Sequence, residues 1–367
     1  MKENVTYISI NELEKFTTEV LKGCGMSEKH AKISADVLIA ADIRGIDSHG
    51  VNRLKPIYYD RFADGIIDPA AECIIIKESP TTVVIDGNNA MGMVSSVKAM
   101  NMAIEKAQKY GMGMATVRNS NHFGIAGYYA NMAAEKGMIG ITGTNARPSV
   151  APTFGNEGML GTNPLTFVMP SDEAFPFFLD CASSTGQRGK IEAYARINKP
   201  TPEGWVVDKN NDSQTDSNEI LKGLTNGNSV LLPLGGAGEE GSGYKGYGYA
   251  TVVEILSAAL QGGVFLKALT GMQDGKKVPY RLGHFFIAIS IEAFTELDEF
   301  KKITGSILRD LRNSSKMPGA DRIYTAGEKE YLTMLERTEK GVPVNFELLE
   351  ELKIMAKELH IIDYSFL

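Results

Sequence analysis

Two histidines stand where an imidazole could do chemistry. His122 lies in Asn119-Ser120-Asn121-His122-Phe123-Gly124, after a strand ending near Arg118 and just before a helix. Open α/β sheets place their sites at the carboxyl ends of strands, and a histidine with a near-neutral pKa suits general acid–base work there. The same residues equally describe a polar loop in which Asn121 caps the helix and His122 is exposed. His49 lies in Asp47-Ser48-His49-Gly50-Val51-Asn52-Arg53, where the chain passes between helices. A loop histidine with an arginine four residues on can bind a carboxylate, the imidazole donating once and the guanidinium gripping bidentately. The competing reading makes Ser48 a helix cap and Arg53 a surface ion-pair partner. His30, His284 and His360 fall in periodic helix or strand segments and read as structural.

Other patterns carry less. Gly236-Ala237-Gly238-Glu239-Glu240-Gly241 spells GxGxxG after a strand-like stretch at 229–234. A dinucleotide fold needs those glycines to open a helix directly, with an acidic residue ending the next strand. Residues 242–248 add three more glycines first, no suitable strand–acid pair follows, and two glutamates would repel a pyrophosphate. A flexible glycine-rich loop is the better reading, with Lys245 free to meet a cofactor phosphate. No HExxH or CxxC offers a zinc site, and no Walker motif or GxSxG elbow is present. The tyrosine pairs at 58–59 and 128–129 have no interleaved Lys or Arg and the tyrosines of 244–249 only Lys245, so they read as packing or interface residues rather than base-stacking platforms.

The elements that must position these residues follow from periodicity. Helices are expected from Asn11 to about Gly23, from Ser27 to Ile43, and over 51–63. Near residue 70 the composition shifts: the β-branched runs 73–76 and 82–85, split by Ser79-Pro80, predict a hairpin. Helix 93–109, strand 112–118, helix 124–135 and strand 138–142 then alternate, the signature of an α/β domain. Residues 146–164 are broken repeatedly by Pro and Gly, and a loop that long is usually functional or disordered. Further on come a helix at 186–197, a short strand at 205–207, a polar loop at 209–217, a helix at 249–260 and a strand at 285–291. Helices near 296–312, 328–339 and 346–358 end the chain, and this tail is expected to pack back on the N-terminal head.

Composition bounds the function. The chain has 367 residues, with 38 Lys+Arg against 45 Asp+Glu and a formal charge of −7. That length suggests about two domains of roughly 150 residues, and the acidic balance argues against generic nucleic-acid binding. Cys24, Cys73 and Cys181 form no framework and point to a reducing compartment. Residues 1–4 begin no signal peptide, and no apolar run reaches the roughly 20 residues of a spanning helix. A soluble cytoplasmic protein is the expectation.

Five stretches, in order and spanning most of the chain, make the sequence resemble the malate/L-lactate dehydrogenase family, which is distinct from the Rossmann-type dehydrogenases. They are Asp47-Ser-His-Gly-Val-Asn-Arg-Leu54, Asn119-Ser-Asn-His-Phe-Gly124, Gly161-Thr-Asn-Pro164, Trp205-Val-Val-Asp-Lys209 and Gly243-Tyr-Lys-Gly-Tyr-Gly248. The resemblance implies an α/β fold: a non-Rossmann central mixed-sheet domain (73–295) plus a helical domain built from both ends of the chain (1–72 and 296–367). It implies a homodimer, a nicotinamide cofactor, NAD with NADP as the alternative, and a small 2-hydroxy/2-oxo acid, malate/oxaloacetate first. L-lactate, ureidoglycolate or a cyclic imine remain alternatives, as does a non-catalytic cofactor-binding relative. By the family pattern His122 is the acid–base residue, while His49, Arg53 and Thr162 contact substrate. Cofactor contacts fall at Ala146, Asp180, Cys181, Ala182, Lys245 and Ser314, Ser315, Lys316. Three departures stand out. Ala146 replaces a common serine, Thr325-Ala326-Gly327-Glu328 replaces a more usual Pro-Gly-Glu, and one extra residue after Arg53 leaves the family's tyrosine contact open between Tyr58 and Tyr59.

Overall fold

The computed structural model describes residues 5–367, so residues 1–4, on which the reading of the N-terminus rests, lie outside it. Helix α1 (Ile10–Gly23) is capped by Ser9, whose hydroxyl accepts from the Glu12 N–H, two residues before the expected Asn11. Helix α2 (Glu28–Ile43) is capped as expected by Ser27. The helix expected over 51–63 is three unlike turns instead: a 3-10 turn Val51–Arg53, a π turn Leu54–Tyr59 and a single α turn Asp60–Ala63. Pro56 has no N–H to close an ordinary helical bond, and a π turn holds one residue more than an α turn. The extra residue after Arg53 is absorbed there.

The hairpin forms as the sequence predicts. Strands β1 (Ile74–Glu78) and β2 (Thr82–Asp86) pair antiparallel, helix α3 (Gly92–Tyr110) crosses over, and β3 (Met112–Ser120) lies parallel to β2. Helix α4 (Ala126–Ala134) and β4 (Met138–Thr144) follow, then a second hairpin, β5 (Leu165–Met169) and β6 (Phe177–Cys181). Helix α5 (Gly243–Ala258) leads on to β7 (Leu282–Ser290), which inserts between β3 and β4, antiparallel to both. The seven-stranded order is β1-β2-β3-β7-β4-β5-β6, with β2–β3 the parallel pair. This is a mixed sheet and not a doubly wound one.

Two details overturn local expectations. A helix at Ser217–Asn226 stands at the end of the expected polar loop, capped by the Asp216 carboxylate on the Asn218 and Glu219 N–H groups. Helix α5 starts six residues before the expected 249, with Gly246 and Gly248 inside it. Glycine disfavours a helix interior by about 1 kcal/mol, but a Cβ at Gly246 would sit 2.3 Å from the Leu234 carbonyl oxygen, so close packing requires it. The strand before the GxGxxG stretch, Ser229–Leu231, pairs antiparallel with Val206–Asp208 in a separate ribbon. That context excludes a Rossmann βαβ unit there.

Helices α6 (Leu297–Asn313), α7 (Glu328–Lys340) and α8 (Phe346–Glu358) complete the chain. The tail does return to the head: Val5–Ile8 pairs with Val342–Asn345, and Phe16 meets Tyr364 and Phe366 edge-on at 5.3 and 5.4 Å. One hydrophobic core joins Phe16, Leu38 and Met355 to Val83, Ala115 and Phe286 of the sheet. The head is thereby held rigidly against the carboxyl end of β3. Among the described residues no helix is long and apolar enough to cross a membrane.

Candidate active site

The His49 loop hangs on a buried carboxylate. Asp42, 2% exposed near the end of α2, accepts the Val51 N–H at 2.9 Å. A Cβ on Gly50 would lie 1.8 Å from its Oδ1, so only glycine lets the backbone come this close. Burial pushes the Asp42 carboxyl up to about 8, the Val51 N–H offsetting part of the cost. The turn so fixed places Ser48 Oγ 2.9 Å from His49 Nδ1 and lets Arg53 Nε donate to the Ser48 carbonyl at 2.5 Å. Ser48 is therefore no helix cap, and Arg53 has no acidic partner among the described residues. Burial, then the Arg53 charge, lowers the His49 pKa to about 4.

His122 emerges just past β3. Asn121, fully buried, is held by donation from its amide to the Asn89 and Ala90 carbonyls, so it does not cap α4. The His122 ring lies 5.6 Å from that of His49, nearly parallel at 19°. Its Nδ1 is 2.5 Å from the Tyr58 hydroxyl. The π turn decides between the two tyrosines: Tyr58 points inward and is fully buried, while Tyr59 donates to Glu358 at 2.6 Å. Desolvation first, then the charges of His49, Arg61 and Arg53, holds His122 well below the ordinary imidazole range. Behind it Phe123 stacks on His284 at 4.5 Å, and His284, its pKa lowered by burial to about 3, lies 2.7 Å from Thr144 Oγ1.

With Nδ1 turned to Tyr58, Nε2 is the ring nitrogen left for a ligand. A phenol can accept from Nδ1–H or donate to Nδ1. As acceptor it leaves Nε2 bare, the form of a general base, and keeps the same bond once Nε2 gains a proton; as donor, the tautomer that goes with the long Gly124 N–H contact to Nδ1 at 3.4 Å, it leaves the proton on Nε2.

Beside this pair runs a groove of about 810 Å³ lined by Ser48, Arg53, Asp180, Cys181, Ala182 and Leu234, among others. A chain of backbone bonds carries it to the remaining residues of interest. The Ser183 N–H donates to the Thr162 carbonyl at 2.9 Å, the Leu234 N–H to the Ser183 carbonyl at 2.8 Å, and Leu234 packs on Gly246 next to Lys245. Asn163 Oδ1 accepts from the Ala146 N–H at 3.2 Å, drawing that residue in. Thr162, Ala146, Cys181, Ala182 and Lys245 are thus neighbours, with the Lys245 ammonium exposed and forming no ion pair among the described residues. These residues fit a nicotinamide cofactor: an uncommitted cation for a phosphate, and a groove edged by backbone and small side chains. The Asp180 carboxylate faces the other way, accepting the Gly127 N–H at 2.7 Å and the Thr166 hydroxyl at 2.8 Å. Ser314, Ser315 and Lys316 are exposed beyond α6, where Lys316 Nζ donates to the Asp321 carbonyl at 2.8 Å. Nothing in their contacts joins them to the groove.

Sequence reasoning passed over Arg61. Its guanidinium lies 4.3 Å over the Tyr280 ring, half-buried, and its charge reaches both Tyr58 and His122. The available signal was spacing, since Arg61 follows Tyr58 by three residues.

Comparison with known proteins finds matches over nearly the whole chain. The family model described as malate/L-lactate dehydrogenase matches residues 8–353. A malate dehydrogenase of Pyrococcus abyssi is 45% identical over 97% of this chain and 96% of its own. The L-sulfolactate dehydrogenase of Methanocaldococcus jannaschii is 38% identical over 94% and 95%. The crystal structure of malate dehydrogenase from Entamoeba histolytica superposes with a TM-score of 0.95 at 46% identity, covering 98% of this chain and 100% of that one.

Proposed function

The chain belongs to the malate/L-lactate dehydrogenase family, and on that premise we propose that it exchanges hydride between a nicotinamide cofactor and malate or oxaloacetate. The observation that carries this reading is the His122–Tyr58 pair at 2.5 Å beside an arginine without an acidic partner. In the oxidising direction His122 Nε2 takes the substrate hydroxyl proton while Nδ1–H stays on the Tyr58 oxygen. In reduction Nε2 returns that proton to the developing alkoxide. General catalysis of this kind contributes about 10²- to 10⁴-fold. Arg53, its Nε fixed by the Ser48 carbonyl, orients the carboxylate next to the reacting carbon, and His49 assists it. The nicotinamide, when bound, supplies the two-electron redox chemistry.

Ala146, Cys181, Ala182 and Lys245 are the proposed cofactor contacts, with Asp180 holding α4 in place through Gly127. Ser314, Ser315 and Lys316 join the proposal only on family pattern. NAD is the proposed cofactor. The proposed assembly is a cytoplasmic homodimer, supported by apolar side chains exposed along and beyond α5: Tyr249, Val252, Ile255, Leu260 and Phe265.

The test follows nicotinamide absorbance with oxaloacetate and pyruvate, each with NADH and with NADPH. Rapid oxidation of NADH by oxaloacetate supports the reading. Preference for pyruvate removes malate, preference for NADPH corrects the cofactor, and silence with every pair overturns the activity.

A further inference from the structure

Arg53 and Arg61, whose charges act on His122, and Arg147, whose charge acts on Arg61, form no ion pair among the described residues. For Arg61 this is notable because acids flank it on both sides in sequence. Asp60 is taken by Lys55 at 2.8 Å and Asp64 by Lys277 at 2.7 Å. What Arg61 has instead is the Tyr280 ring beneath it at 4.3 Å and the like charge of Arg147 facing it. A guanidinium stacked on an aromatic face keeps its N–H donors in one plane, ready for a bidentate oxyanion. Two cations brought together without an anion, one of them half-buried, repel each other, and a ligand carboxylate between them removes that cost.

Arg61, in the α turn Asp60–Ala63, follows directly on the π turn that carries Tyr58, and Tyr58 is bonded to His122. Arg53 stands on the other approach to the histidines, anchored to Ser48. The two guanidinia are thus held on separate anchors, Ser48 and Tyr280, and both charges act on the acid–base residue, which suits a substrate with two acid groups.

Resting on the hydride-transfer reading above, we infer that Arg61 is the specificity-determining residue of this site. It binds the second carboxylate of a dicarboxylic 2-oxo acid while Arg53 holds the first, with Tyr280 keeping the Arg61 fork in plane.

Oxaloacetate and its 4-amide, 2-oxosuccinamate, share length and reacting carbonyl and differ by one charge, so their kcat/KM ratio reads this contact. The wild-type protein should favour oxaloacetate by roughly 10- to 100-fold, the worth of a hydrogen-bonded charge. Arg61→Gln should raise the oxaloacetate KM by that factor and bring the two substrates close to parity. Arg61→Lys, which keeps the charge but not the fork, should retain part of the preference and guards against a Gln variant that fails to fold. Equal use of both substrates by the wild type overturns the inference, as does a parallel loss of kcat on both in the variants. If the wild type reduces oxaloacetate and the ratio ignores Arg61, the inference alone fails. If the wild type reduces no dicarboxylic acid, the malate reading fails with it.

Discussion

Two sets of arginines in this protein contrast. On the outer side, where α6 and α7 strap the β5–β6 hairpin, each is answered by acids. Arg309 meets both Asp172 carboxylate oxygens at 2.8 and 3.1 Å, Arg312 binds Glu173, and Arg322 binds Glu328, itself 4% exposed. Around the histidines Arg53 and Arg61 form no ion pair among the described residues, nor does Arg147 next to Arg61, in a chain whose formal charge is −7. Paired charges there fix segments of chain to one another. Unpaired charges in the cleft hold their neighbours in a strained electrostatic state that an anion relieves. The depressed pKa values of His49 and His122 are partly a reading of that state.

Substitutions can break this contrast from either side. His122→Ala should lower kcat for malate oxidation by about 10²- to 10⁴-fold, and calorimetric titration of the cofactor should show affinity changed little. A variant with near-normal turnover removes His122 from the role. Arg53→Lys should raise the oxaloacetate KM by roughly 10- to 100-fold, because an ammonium cannot reproduce the planar fork. An unchanged KM would refute the carboxylate assignment. Tyr58→Phe should cost about tenfold in kcat/KM, one hydrogen bond's worth, and should move the acid limb of the pH profile. A purely structural tyrosine would leave that limb in place. On the paired side Glu173→Ala should barely affect kinetics but should lower stability by about 1–3 kcal/mol, since it leaves Arg312 only the longer contact to Glu328 at 3.7 Å. Denaturant unfolding and steady-state assays on one preparation separate the two effects.

How much of this was legible beforehand depended on what each signal encodes. Periodicity revealed the hairpin, the α3 crossover and the placement of His122 after β3, because those are properties of local sequence. It could not choose between Tyr58 and Tyr59, since the π turn around Pro56 shifts the phase that a regular helix would have set. The helix Ser217–Asn226 was passed over because it is short and follows a polar loop directly, although Ile220, Leu221 and Leu224 recur at helical spacing and pack on one core. Its Asp216-x-x-Glu219 capping pattern was nonetheless readable. Motif matching named Asp180 but not the direction of its carboxylate, which is fixed by Gly127 and Thr166, distant in sequence. The start of α5 was obscured because Gly246 serves a contact with Leu234 that no local rule contains.

The pH dependence of malate oxidation tests the central claim most directly: the cleft keeps His122 uncharged until an anionic substrate neutralises its arginines. The acid limb of kcat/KM reports the free protein and that of kcat the substrate complex. With His122 lowered by burial and neighbouring cations, its base form persists well below the ordinary pKa of about 6.5. Activity should therefore stay level as pH falls through that value and be lost only further down. After allowance for the ionisation of malate itself, the kcat/KM limb should lie below about 6.5 and the kcat limb above the kcat/KM limb. Both should vanish in His122→Ala. A kcat/KM limb at or above the ordinary histidine value, or one that survives in that variant, would contradict the account.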